Sequence, residues 1–165
     1  MSQLKVNSII PVGGVASGQG GGIIQTIQTF KNDSFSSTST SYVDITGFSV
    51  TITPTSNTSK ILLLSCAGIS TTGGSSVIYM NLLRGSTAIA QPSDTAGFAS
   101  TATIYPELIQ SMESWNFTFL DSPATTSATT YKWQAKTNST ELTINDRDFD
   151  DMNRSSSMIA MEVSA

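Results

Sequence analysis

The sequence has 165 residues, enough for one domain with a hydrophobic core. Only 12% of the residues are charged, and eight scattered lysines and arginines in a chain of net charge −4 argue against nucleic acid and membrane partners. Histidine is absent, so Ser-His-Asp and Cys-His triads and histidine-containing zinc sites are excluded, and no cofactor, metal site or catalytic residue is predicted.

A glycine-rich stretch follows an apolar segment near the start of the sequence. The spacing from Gly13 to Gly18 matches a nucleotide phosphate loop. However, Gln19 and Gly20 stand where that loop needs Lys and then Ser or Thr. We therefore interpret residues 1–22 as an anchoring arm, in which apolar residues pack on a neighbouring protein and glycines form a compliant joint. The predicted assembly residues are Leu4, Val6, Ile9, Ile10, Gly13, Gly14, Gly18, Gly20, Gly21 and Gly22.

After residue 22, apolar residues recur with a period of two, which is typical of strands. Phe48–Thr53 alternates and stops at Pro54, as a half-buried strand does. Lys60–Leu64 indicates a central strand buried on both faces, and Cys66 beyond it is predicted to be a small buried hydrophobe. Because Cys66 is the single cysteine, the chain forms no intrachain disulfide.

Further strands are predicted in the second half of the chain. The turn Arg84–Ser86 joins Val77–Leu83 to Thr87–Ala90 as a hairpin. Residues 91–112 are irregular and are predicted to form a loop lying over the surface. The remaining predicted strands are Trp115–Phe119, Tyr131–Lys136, Leu142–Ile144 and Ile159–Val163.

These patterns predict the fold class. Eight to ten short strands without a helix indicate an all-β protein, an antiparallel β-sandwich or jelly roll over residues 23–165. The extended glycine-rich arm of residues 1–22 precedes it. The composition agrees, because 27 serines and 23 threonines accompany 38% apolar residues in a weakly charged chain.

The carboxylate cluster Asp146–Asp151 begins like a calcium-binding loop. The sixth position is Asp151 where glycine is needed, and the twelfth is Ser157 where a bidentate glutamate belongs. The segment is therefore predicted to be the solvated tip of a hairpin, partly compensated by Arg147 and Arg154. A weak surface cation site is the alternative.

Two other groups of residues are candidates for carbohydrate chemistry. Glu107 and Glu113 are six residues apart in an irregular segment, which does not specify the separation of a glycosidase pair, so both are interpreted as surface charges. Aromatic residues that alternate along strands are more often core than sugar-stacking platforms. The aromatic residues predicted to be core are Trp115, Phe117, Tyr131 and Trp133.

Four short blocks are spread over nearly the whole chain: Ser49–Pro54 with Ser59–Leu62 after it, Phe119–Thr126 with Thr130–Lys132 after it, Ile159–Val163, and the opening Leu4–Ile9. Together they resemble the bacteriophage tail-fibre-like and virion structural protein family of marine phages and cyanophages.

The resemblance implies a β-sandwich virion protein, usually trimeric, with no catalytic residues to carry over. Its expected partners are two further copies of itself, other virion proteins (a tail hub, an adaptor or the major capsid protein) and a host-surface glycan. The chain lacks the shaft repeats and coiled coil of a full fibre, so a capsid decoration protein is an open alternative, and a carbohydrate-binding module a more distant one. Met1–Lys5 begins no secretory signal, so location in the virion after assembly in the host cytoplasm is expected.

Overall fold

Eleven β-strands in two antiparallel sheets make up the described part of the chain. The structure is a computed structural model and describes residues 22–73, 76–93, 99–106, 111–147 and 153–164. Within those ranges no helix occurs, and the predicted all-β antiparallel sandwich is confirmed. The strands are β1 (Ile23–Lys31), β2 (Phe35–Ser37), β3 (Val43–Ile52), β4 (Lys60–Thr71), β5 (Ile78–Arg84), β6 (Thr87–Ile89), β7 (Ala102–Ile104), β8 (Glu113–Asp121), β9 (Thr129–Thr137), β10 (Leu142–Ile144) and β11 (Ser156–Val163).

Sheet I contains β1, β11, β4, β8, β10 and β2, and β4 is its long central strand. β11 pairs with one side of β4 and β8 with the other, so β1 and β8 are the outer strands of this part of the sheet. Ile69 of β4 pairs with both Glu113 of β8 and Ile144 of β10. β10 therefore lies on the β11 side of β4, and β10 and β11 follow one another along β4 in the same direction.

Sheet II contains β3, β9, β5, β6 and β7. β6 and β7 share the free side of β5, opposite β9. The predicted hairpin is confirmed, since β5 and β6 pair across a turn in which Gly85 has a φ of 61°. The predicted strand ending at Pro54 is also confirmed as β3, whose pairing with β9 is interrupted between Asp44 and Ser49.

The core lies between the two sheets. It is formed by the inward-pointing residues of strands along which inward and outward side chains alternate. Trp133 of β9 is fully buried and donates a hydrogen bond from Nε1 to Ser65 Oγ of β4 (3.0 Å). The rings of Trp115 and Phe117 from β8 meet the Trp133 ring edge-on, at centroid distances of 4.7 Å and 5.3 Å. Tyr131 is buried as well, so the prediction that these aromatic residues belong to the core is confirmed.

The predicted burial of β4 on both faces is wrong for the first half of the strand. Ile61 and Leu63 point into the core, but Leu62, Leu64 and Cys66 point outward and are only half-buried. The prediction that Cys66 is buried is therefore also wrong; its Sγ lies 3.3 Å from Ser157 Oγ on the outer side of the sheet. Burial on both faces begins only at residue 67, beyond the pairing of β4 with β11, which ends at Cys66, while β8 still flanks β4 as far as Ile69.

The region predicted as an irregular surface loop, residues 91–112, contains the short strand β7. Its described residues do lie over the outer side of sheet II. Asn81 Oδ1 accepts hydrogen bonds from Gln91 Nε2 (3.3 Å) and Thr101 N (3.2 Å). Three residues of β7 carry too short a pattern for period-two analysis, which is why the sequence did not reveal the strand.

The predicted hairpin around the acidic segment, Asp146–Asp151, is wrong. A hairpin needs adjacent antiparallel strands, whereas β10 and β11 run in the same direction along β4. The two ends of the segment that connects β10 to β11 are hydrogen-bonded to each other, because Arg154 N donates to Asn145 O (3.0 Å). Asn145 has a φ of 65°, and its Nδ2 donates to Lys31 O (3.1 Å), so the closing residue is also tied to the end of β1.

Candidate assembly surface

Of the predicted anchoring arm, the structure describes Gly22 alone, and residues 1–21 lie outside the described ranges. Gly22 is fixed to the strand at the other end of the described chain. Its N donates to Ser164 Oγ (3.2 Å), and its carbonyl oxygen accepts from Ser164 N (2.9 Å). Gly22 therefore lies at the corner of sheet I where β1 and β11 meet.

β1, which continues directly from Gly22, is an edge strand without the usual protection. Among the described residues it pairs only with β11. Natural edge strands commonly carry charges or proline to discourage pairing with another chain. Residues 22–30 contain neither. All four large hydrophobic side chains on β1 are instead exposed: Ile23 (54%), Ile24 (45%), Ile27 (38%) and Phe30 (61%).

Twelve neutral side chains form a continuous surface on the outside of sheet I, between Lys60 at one end and Arg154 at the other. Residues directly opposite in an antiparallel pair point to the same side of a sheet, so the strand register gives three rows across β1, β11, β4 and β8. We call these twelve residues the outer face. Its rows are Thr26, Met161, Leu62 and Leu120; then Gln28, Ile159, Leu64 and Thr118; then Phe30, Ser157, Cys66 and Asn116.

The outside of sheet II has a different character. Lys132 Nζ lies 2.7 Å from Asp44 Oδ2 in an exposed ion pair. Lys136 Nζ lies 4.7 Å from the ring centre of Tyr42 and 5.2 Å from that of Tyr79. This side is charged and is partly covered by the chain itself. On sheet I, Met112 and Arg154 lie against Gly68, beyond the end of the outer face.

Glu162 is buried with its charge between the two sheets. Its Oε2 accepts from Gln25 Nε2 (2.6 Å), and its Oε1 accepts from Thr55 N (2.7 Å) and Thr55 Oγ1 (2.8 Å). Burial by itself raises the pKa of Glu162, but the hydrogen bonds from Gln25 and Thr55 outweigh it and lower the pKa to about 2. The carboxylate links β11 and β1 to the loop after β3, because both of its oxygens accept hydrogen bonds from other parts of the fold.

Replacing Glu162 with glutamine is expected to lower the free energy of unfolding by on the order of 2 kcal/mol at pH 7, because an amide cannot accept at both former oxygens. The folded pKa of about 2 lies below the ordinary value of 4.5. Stabilisation by the charge is therefore complete above about pH 5 and is lost as the pH falls towards 2. Urea denaturation of the wild-type protein and the variant at several pH values measures the difference in their free energies of unfolding. This difference is expected to become smaller at acidic pH.

The matched control is Glu113→Gln. Glu113 is exposed at the start of β8 and accepts a hydrogen bond of 3.3 Å from Ser111 Oγ. This substitution is expected to change stability at pH 7 by less than about 0.5 kcal/mol. A Glu162→Gln difference that stays constant between pH 7 and pH 3 contradicts the role given to the buried carboxylate.

A second polar cluster joins the sheets at the ends of β5 and β8. Asp121 is buried, and its two oxygens accept from Arg84 Nη1 at 3.0 Å and 2.9 Å. Asp121 Oδ2 also accepts from Tyr131 Oη (2.7 Å). Burial and the hydrogen bond to Asp121 raise the pKa of Tyr131 far above its ordinary value, so the phenol stays protonated and donates to the carboxylate.

The other predicted site residues are dispersed. Of the proposed surface carboxylates, Glu113 is exposed as predicted, and Glu107 lies outside the described residues. The described residues contain no group of three or more metal-ligating side chains, and Asp148, Asp150 and Asp151 lie outside them. Arg154, predicted to compensate that cluster, donates from Nη1 to Ser114 Oγ (2.9 Å).

No described segment is a helix with the length and hydropathy to cross a membrane.

Sequence reasoning missed the outer face. It assigned Lys60–Leu64 to a strand buried on both sides, so Leu62 and Leu64 were counted as core. An apolar strand gives the same sequence pattern whether its second face meets the core or a partner. The low content of charged residues was the one sequence feature that indicated such a surface. It shows that the protein has surface suited to burial against a partner, but it does not show where that surface lies.

Comparison with known proteins shows similarity to viral capsid proteins at the level of structure alone. Protein-family models give no match, and curated proteins give none either. A mutant VP2 protein of infectious bursal disease virus, in derived T=1 particles, is 14% identical with a TM-score of 0.47 over 86% of this chain. A solved structure of the Gt strain of that virus is 14% identical to this chain, with a TM-score of 0.48 over 98% of this chain.

This chain spans only 36% and 43% of the lengths of those two proteins. Similarity at this level assigns no function, so function has to be argued from the chain's own residues. The two solved structures come from infectious bursal disease virus, whereas the sequence blocks resemble a phage tail-fibre family. The specific family therefore stays a prediction.

Proposed function

We propose that this chain is a non-enzymatic structural protein of a bacteriophage particle, namely a homotrimeric tail-fibre or tail-appendage component. It docks onto another virion protein through the arm, residues 1–22, and the β-sandwich of residues 23–165 contacts the host surface. The observation that carries the proposal is β1. An edge strand that carries no charge from Ile23 to Phe30 and exposes its isoleucines continues directly from the glycine joint, so the arm and the free edge form one extended assembly element.

Two further features support an assembly role. Gly22 is held by Ser164, which fixes the point where the arm leaves the sandwich. The arm's glycines then allow the preceding apolar segment to meet a partner in several orientations. An extended segment with alternating apolar residues can bind by adding a strand to a neighbouring sheet, as Leu4, Val6 and Ile9 would.

Deletion of residues 1–21 tests the proposal. The truncated protein is expected to fold and remain trimeric, because the core and both sheets lie beyond the deletion. It is expected to be lost from purified particles, with at least a tenfold reduction measured by quantitative immunoblotting. The matched control is the full chain with Ser8→Ala and Gln19→Ala, which keeps the arm's length and apolar residues and is expected to incorporate normally.

Normal incorporation of the truncated protein contradicts the anchoring role of the arm. Failure of the truncated protein to fold places residues 1–21 in the folded domain and shows that the proposed boundary is wrong. Circular dichroism and light scattering on the purified protein separate the two outcomes.

A capsid decoration protein is the second candidate, since the sequence has neither shaft repeats nor a coiled-coil pattern. A density map of the intact particle distinguishes the two by placing the chain on the tail or on the capsid. A carbohydrate-binding module is less well supported, because Tyr131 and Trp133 are buried and Trp115 packs against Trp133. Specific binding on a glycan array would support host-glycan contact in either setting.

A further inference from the structure

We propose that the outer face of sheet I is the surface through which copies of this chain associate. This inference deepens the proposed trimeric assembly by naming the contact surface. It concerns the twelve outward residues of β1, β11, β4 and β8 defined above.

Exposure and charge single out this surface. Six of its twelve side chains are apolar, and Leu120 and Phe30, at opposite margins, are 48% and 61% exposed. The other six are neutral polar residues, so no charge interrupts the face. The centres of protein interfaces are depleted of charge in this way, whereas solvated sheet faces usually alternate apolar with charged residues. The outside of sheet II, with Lys132, Lys136 and Asp44, has the solvated character.

The size of the surface is in the range of functional patches. Four strands about 4.8 Å apart, each contributing about 20 Å of length, give roughly 400 Å² in projection. A standard interface buries about 800 Å² per partner. The outer face provides about half of that, and the exposed Ile23, whose register partner is Val163, adds apolar area beside it.

A second copy is the occupant that this chemistry fits. The chain carries a net charge of −4, so association through a charged surface would bring like charges together. Contact through the outer face limits that cost, because its twelve side chains are neutral and the charges at its two ends, Lys60 and Arg154, are positive. An uncharged centre between positive ends suits an acidic partner, and a second copy of this chain is acidic. Symmetric association of identical chains is also the commonest arrangement of soluble oligomers.

Charge substitutions at the margins of the face test the inference. In the full-length chain, Leu120→Glu and Phe30→Glu are each expected to weaken association at least tenfold, converting the oligomer to monomer at micromolar concentration. Both side chains are exposed, so folding of the monomer is expected to survive. The matched control is Thr87→Glu, at an exposed position of β6 in the other sheet, and it is expected to leave the oligomer intact.

Sedimentation velocity measures the mass, and circular dichroism checks the fold. If a glutamate variant fails to fold, Thr118→Lys provides a second test at an exposed polar position of the same face. If every variant of the outer face folds and the oligomer still forms, the inference is overturned and the contact lies elsewhere. That result would not affect the proposed virion role, which the deletion of residues 1–21 tests separately. A monomeric wild-type chain also overturns it, and if deletion of residues 1–21 then produces an oligomer, the arm itself covers the face.

Discussion

Replacing Trp133 with alanine is expected to lower the free energy of unfolding by about 3–5 kcal/mol. Trp133 is fully buried where the two sheets meet, and its removal leaves a cavity that strands fixed by pairing on both sides cannot close. The substitution also leaves Ser65 Oγ without the indole hydrogen bond of 3.0 Å. Urea denaturation followed by far-UV circular dichroism measures the change, since loss of the tryptophan alters fluorescence directly.

Trp115→Ala provides the matched control. Trp115 belongs to the same aromatic cluster, but its strand β8 is at the margin of sheet I and its side chain is half-buried. Its removal is expected to cost about 1–2 kcal/mol, because solvent and neighbouring side chains can occupy part of the space. Equal effects of the two substitutions would contradict the central position of Trp133.

Replacing Asp121 with alanine is expected to destabilise the protein by about 2–4 kcal/mol. Breaking a buried ion pair typically costs about 3–5 kcal/mol because the remaining charge is left without compensation. Here Arg84 is one-third exposed (33%), so water recovers part of the cost for the guanidinium. Tyr131, which is buried, loses the acceptor of its hydroxyl completely. Denaturant titration at pH 7 measures the effect.

Asp44→Ala is the matched control on the outside of sheet II. Asp44 pairs with Lys132 at 2.7 Å, but the two side chains are 52% and 29% exposed. An exposed pair of this kind contributes about 0–1 kcal/mol. A loss at Asp121 no larger than the loss at Asp44 would show that the buried cluster does not hold the sheets together. In a double-mutant cycle, Arg84→Ala is expected to have a much smaller effect once Asp121 has been removed.

The fold class followed from the sequence because its strongest signals are local. Alternation from Phe48 to Thr53 fixes which side chains enter the core, and the structure buries Phe48, Val50 and Ile52. The turn glycine Gly85 marks the β5–β6 hairpin in the same way. Both features depend on neighbouring residues, so a pattern of short period is sufficient to find them.

The errors concern what lies beside a strand. Nothing in Leu142–Ile144 or Ile159–Val163 states that both strands pair with β4 and follow one another along it. The acidic residues between them therefore suggested an ordinary hairpin. The half-buried state of Leu62 and Cys66 depends in the same way on which strands and loops lie beside β4, which the sequence pattern does not identify.

The pairing of β1 with β11 bears on how the protein is made. Gln25 and Glu162 are hydrogen-bonded although 137 residues separate them in the sequence. Sheets closed by such distant contacts fold slowly, in about milliseconds to seconds. Translation at about 5–20 residues per second delays the arrival of β11 by roughly 7–27 s after β1 has been synthesised. During that interval both edges of β1 are unpaired on a nascent chain, so the strand whose uncharged stretch suits assembly in the finished protein is an aggregation risk on the ribosome.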